Sequence, residues 1–118
     1  MRTSLALVVL LITFSSCGVF NSLNSNTSIK PKDSFVLGNN KHGVFKAYLI
    51  NEGSTELKVY KAPIEGGTHS PILLHPKENV TVKTEKNTAL IIENKGDVYG
   101  TVTLKVRGDL NLGMNYNN

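Results

Sequence analysis

The chain has 118 residues, 40% hydrophobic and 7% aromatic, with 13 basic residues against 9 acidic, three His, one Cys and no Trp. That length holds one small domain and no more. The basic residues are scattered with no run of five like charges, which excludes a polybasic nucleic-acid or membrane tail and leaves an ordinary solvated surface as the expectation.

Residues 1–16 open with Arg2, continue without charge through Leu5-Ala6-Leu7-Val8-Val9-Leu10-Leu11-Ile12-Thr13-Phe14, and close with Ser15-Ser16 before Cys17. A short positive start, an apolar run of about ten residues and small residues at the break form a secretory signal. The run is too short for a spanning helix, which needs about 20 apolar residues. Ser15-Ser16-Cys17, with Phe14 where Leu is usual, resembles the signal of a bacterial lipoprotein precursor. The resemblance implies cleavage before Cys17, a diacylglycerol on its sulfur and usually a fatty acid on its amine. It also implies, through Gly18 rather than Asp after the cysteine, transfer to the outer membrane; the absence of an acidic run after Cys17 favours the periplasmic face, with the cell surface as the alternative. Cleavage leaves 102 of the 118 residues and, with Arg2 gone, 12 basic residues against 9 acidic.

Residues 17–32 are rich in Asn, Ser, Thr and Lys, with isolated Val19, Phe20, Leu23 and Ile29. That composition predicts a flexible tether behind the lipidated cysteine, since little apolar surface is available to offset ordering entropy. Residues 33–118 are then the folded domain.

Within that domain the periodicity is that of strands. Phe35-Val36-Leu37 ends at the turn cluster Gly38-Asn39-Asn40, and residues 44–50, with Tyr48 among them, read as an interior strand. After the turn Asn51-Glu52-Gly53-Ser54, Leu57 and Val59 alternate with Glu56, Lys58 and Tyr60. Residues 62–68 read as a loop. Pro71 and Pro76 confine Ile72-Leu73-Leu74 to a sheet edge or bend. Val80 and Val82 alternate with polar residues, and Ala89-Leu90-Ile91-Ile92 reads as a central strand. Val102, Leu104 and Val106 alternate with Thr101, Thr103 and Lys105, and residues 110–116 read as a last strand.

This predicts an all-β domain, an antiparallel two-sheet sandwich of seven or eight short strands joined by hairpin-length links, with a small closed barrel as the alternative. The passage Leu74-His75-Pro76-Lys77-Glu78-Asn79-Val80-Thr81-Val82 resembles one found in bacterial immunoglobulin-like and cupredoxin-like sandwiches.

No constellation for catalysis stands out. Ser70 beside His69 or His75 lacks a nucleophile-elbow motif, and no spacing ties Glu78 to Asp97. A metal would need His69 and His75 to converge with a carboxylate, yet six residues of extended chain put them about 20 Å apart. No catalytic residue, metal or cofactor is therefore expected. Tyr60 and Tyr99 fall on polar strand faces where they can stack on a ligand. Leu112, in the C-terminal strand, is the candidate for pairing with another chain at a sheet edge. The expected role is a lipid-anchored, non-catalytic envelope protein that binds a protein partner, with no nucleic acid; the alternative is a carbohydrate- or metal-binding module.

Overall fold

The computed structural model describes residues 22–116, so the signal, Cys17 and residues 18–21 lie outside the described residues. Among the described residues nine strands are present: β1 (Ser22–Ile29), β2 (Asp33–Leu37), β3 (Phe45–Asn51), β4 (Leu57–Pro63), β5 (Ile72–Leu74), β6 (Asn79–Thr84), β7 (Thr88–Asn94), β8 (Gly100–Gly108) and β9 (Met114–Tyr116). They form two antiparallel sheets, β1-β8-β3-β6 and β5-β4-β7-β2-β9. Among the described residues each sheet keeps two open edges, so the architecture is the sandwich and not the barrel.

Only β4 and β5 are consecutive strands paired with each other. Every other link between successive strands carries the chain from one sheet to the facing one, so the expectation of hairpins is corrected. Without β9 the two orders interlock as two Greek keys, which is a jelly roll. Link length alone does not distinguish a hairpin from a crossover, because packed sheets lie only about 10 Å apart.

The core follows from alternation. In the four-stranded sheet, Ala47 and Leu49 of β3 and Val102, Leu104 and Val106 of β8 point inward. They meet Leu57, Val59, Leu90 and Ile92 from β4 and β7 of the other sheet within one continuous cluster. The edge position expected of Ile72-Leu73-Leu74 is found in β5, and the central position expected of residues 89–92 is found in β7.

The tether assigned to residues 17–32 is corrected over Ser22–Ile29, which pairs with β8 from Ser22↔Arg107 to Ile29↔Gly100. Its inward positions are Leu23, Ser25, Thr27 and Ile29, with Thr27 and Ile29 buried. The polar side chains among them satisfy each other, Ser25 Oγ lying 3.0 Å from Thr27 Oγ1. An edge strand can fill its inner face with small hydroxyl residues, and composition then hides its period. Lys32, at φ 62°, helps turn the chain from β1 into β2 in the facing sheet.

Strand β9 is three residues long, not the seven expected, and pairs with β2 through Leu37↔Met114 to Phe35↔Tyr116. Leu112 precedes it, packs partly buried against the core, and its Cδ2 lies beside Gly38. It is an anchor for the β8–β9 connection and not an edge residue.

Two corners share one device. Asn51 at the end of β3 and Asn94 at the end of β7 are fully buried. Each accepts the N–H of the glycine two residues on, Gly53 at 3.0 Å and Gly96 at 2.9 Å. Their amides donate outward, Asn51 to the carbonyls of Thr55 and Leu74 (both 2.8 Å), Asn94 to those of Ile29 (3.0 Å) and Val98 (2.8 Å). Side-chain amides thus satisfy carbonyls that the sheet ladders leave over.

Candidate functional site

Strand pairing builds a surface that no stretch of sequence contains. On the outer face of the four-stranded sheet the register aligns Ser22, Arg107, Lys46 and Lys83 across β1, β8, β3 and β6. The next row, two residues along each strand, is Asn24, Lys105, Tyr48 and Thr81. Neighbouring strands lie about 4.8 Å apart and successive rows about 7 Å apart, so four cationic side chains surround one tyrosine.

This face holds a groove of about 450 Å³ lined by Ser22, Asn24, Lys46, Tyr48, Thr81, Lys105, Val106 and Arg107. Lys105 Nζ stands 6.0 Å from the centre of the Tyr48 ring. Tyr48 belongs to an interior strand, as expected, but its ring lies on the outer face. Among the described residues, none of Lys46, Lys83, Lys105 and Arg107 takes part in an ion pair. Like charges placed directly opposite across strands oppose folding. A bound anion would offset that repulsion.

Beyond the end of β8, Asp109 ties the chain to the loop that leads into β3. Its carboxylate accepts the N–H groups of Gly43 and of Asn111 (3.0 Å). Those bonds, Gly43 foremost, hold its pKa below the ordinary carboxylate value against the opposing effect of burial. A depressed folded pKa contributes stability that is present above about pH 4 and is lost as pH falls through the folded value. Asp109→Asn is therefore expected to shallow the acid limb of stability below about pH 4. Urea midpoints measured across that range check this, and an acid limb identical to wild type would contradict it.

The residues singled out from sequence lie elsewhere and apart. Tyr60 and His69 share a depression of about 200 Å³ with Lys58, Thr68 and Pro71 on the five-stranded sheet. Burial and then Glu93 raise the Tyr60 pKa. His75 sits between two carboxylates, Nε2 2.8 Å from Glu56 and Nδ1 2.9 Å from Glu78. These bonds leave its ring by opposite nitrogens, so the three groups do not converge. Among the described residues no cluster of three metal-ligating side chains is present. Tyr99, 59% exposed, lines a hollow of about 250 Å³ with Ser28, Lys30, Asp33 and Tyr116. His42 is structural: it is buried, packs on Phe45 at 5.2 Å, and its Nε2 lies 2.8 Å from the Thr88 carbonyl.

Sequence reasoning missed Lys46, Tyr48, Lys83, Lys105 and Arg107 as a group. The usable signal was that each cation stands out of phase with its strand's buried positions, but only the register makes the four neighbours.

No protein-family model matches this chain, and no curated protein sequence matches it. Among solved structures, the crystal structure of the Yersinia pseudotuberculosis-derived mitogen is similar over 75% of this chain and 86% of that one, at 14% identity and a TM-score of 0.47.

Proposed function

We propose that this protein is a non-catalytic glycan-binding module, held at the cell envelope by lipid on Cys17, that takes its ligand on the outer face of the four-stranded sheet. The observation that carries this reading is the groove around Tyr48, bordered by Ser22, Asn24 and Thr81 on rigid paired strands. An aromatic ring offers a sugar its face, and amide and hydroxyl groups beside it match sugar hydroxyls. The lipid would place this face in the envelope, at the outer membrane facing the periplasm.

The test is a thermal-shift series with the full-length acylated protein in nonionic detergent micelles against a panel of neutral and acidic glycans. A true ligand at about 100 times its Kd adds about 2.7 kcal/mol of stability. Tyr48→Ala is expected to abolish the shift while leaving the ligand-free midpoint near wild type. A panel without any shift contradicts the reading.

A protein partner is the second reading, favoured by one feature. Strand β9 is an open edge with Met114 45% and Tyr116 50% exposed. Another chain can add a strand there. A companion recovered from envelope fractions and lost with Met114→Lys would support it.

A further inference from the structure

Resting on that reading, we infer that the ligand is an acidic saccharide whose anionic groups, carboxylate, sulfate or phosphate, seat on the row formed by Arg107, Lys46 and Lys83. The row follows from pairing: Lys46 is the direct partner of Arg107 on one side and of Lys83 on the other. Three cations therefore stand across about 10 Å, the width of two strand spacings. Lys105 stands in the next row, against the Tyr48 ring. No acidic side chain lines the groove.

Three properties of the face choose the ligand. The cations call for negative charge repeated at about 5–10 Å, the distance between groups on one or two linked sugar rings. The groove, about 450 Å³, has room for a ring to enter. Only one aromatic side chain, Tyr48, lines it, which suits one sugar ring. A single-stranded nucleic acid would use several aromatic platforms in succession. Ser22, Asn24 and Thr81 then remain for the hydroxyls that an acidic saccharide keeps.

Lys46 and Arg107, the cations exchanged in the test, take part in no ion pair among the described residues. All four cations project from the outer sheet face, and exchanging Lys46 or Arg107 for Gln removes like-charge repulsion without disturbing the core. The variants are expected to fold with a thermal midpoint at or above wild type.

The experiment is calorimetric titration of the full-length acylated protein, in nonionic detergent micelles, with tetrasaccharides of galacturonic acid and their sulfated counterparts. A neutral glucose tetrasaccharide and phosphatidylglycerol–phosphatidylcholine vesicles are the comparison probes. An acidic tetrasaccharide is expected to bind, and its affinity to fall several-fold as salt rises from about 50 to about 200 mM. Lys46→Gln or Arg107→Gln alone should weaken it about tenfold, the loss of one charge-assisted contact, and the double variant more.

Neutral tetrasaccharide binding that is lost in Tyr48→Ala and untouched by Lys46→Gln would overturn the acidic ligand while leaving the glycan-binding reading in place. Binding to the anionic vesicles and to no saccharide would overturn it in favour of a membrane surface. No probe binding through this face would overturn both.

Discussion

Asn94→Ala is expected to destabilise the domain by about 3–4 kcal/mol. Asn94 is fully buried, and its amide donates to Ile29, Val98 and, at 3.3 Å, Lys30, while its carbonyl oxygen accepts from Gly96. Alanine leaves the Ile29 carbonyl unpaired where it is buried, at about 1–3 kcal/mol, and removes the bonds that hold the part-buried Lys30, Val98 and Gly96 groups, at about 0.5–1.5 kcal/mol each. The corner also ties β1 to the β7–β8 turn, so the loss spreads to both sheets. For a domain of this size the thermal midpoint should fall by about 15–25 °C.

Two comparisons isolate the cause. Asn94→Asp keeps the shape but turns two donors into an acceptor against carbonyls, and at neutral pH it should be at least as damaging as alanine. Lys95→Ala, one residue on and exposed, should change stability by less than about 0.5 kcal/mol. Urea denaturation of all three decides it. An Asn94→Ala loss below about 1 kcal/mol would show that the corner holds itself without the amide.

Cys17→Ser is expected to move the protein from the membrane pellet almost entirely into the soluble fraction. Each buried acyl CH₂ contributes about 0.8 kcal/mol; one chain anchors marginally, whereas two or more anchor stably. Serine cannot form the thioether, so both diacylglycerol and the later amine-linked chain are lost together. Intact mass should show an unlipidated protein, with the β-rich circular dichroism of wild type. Labelled fatty acid still incorporated into the variant would contradict the anchor.

These two effects lie at opposite ends of what could be read from the chain. The alternation of Val102, Leu104 and Val106, the apolar stretch from Ala89 to Ile92 and the two prolines around β5 carry local physics, and local physics is visible in order along a sequence. From those elements the all-β sandwich follows. Strand β1 did not show itself because Ser25 and Thr27 fill positions where an apolar residue is the usual signal. Strand order was hidden for another reason. A short link such as Lys30-Pro31-Lys32 fits a hairpin as well as the crossover it is.

The same distinction explains the site. Tyr60 is half-buried on β4, and Tyr99 is exposed in the turn before β8 and not on the strand face that alternation implied; the two lie in separate hollows. Leu112 reads as a strand residue yet serves as a plug against the core. Lys46, Lys83 and Arg107 are distant in sequence and adjacent across the sheet, and the scattered charge that suggests a plain solvated surface is gathered by the jelly-roll order into one face. The buried role of Asn51 was likewise concealed inside a segment that reads simply as a turn.

The measurement that bears most directly on the binding face is an NMR titration of the full-length acylated protein in detergent micelles, its lysines reductively methylated with ¹³C and their charge retained. Acidic glycan is added stepwise and each methyl resonance followed, with assignments from single Lys→Arg variants. Saturable shifts at Lys46, Lys83 and Lys105, with Lys30, Lys77 and Lys95 unmoved, are the expected result. Shifts spread evenly over all lysines, or confined to lysines off the four-stranded sheet, would contradict it.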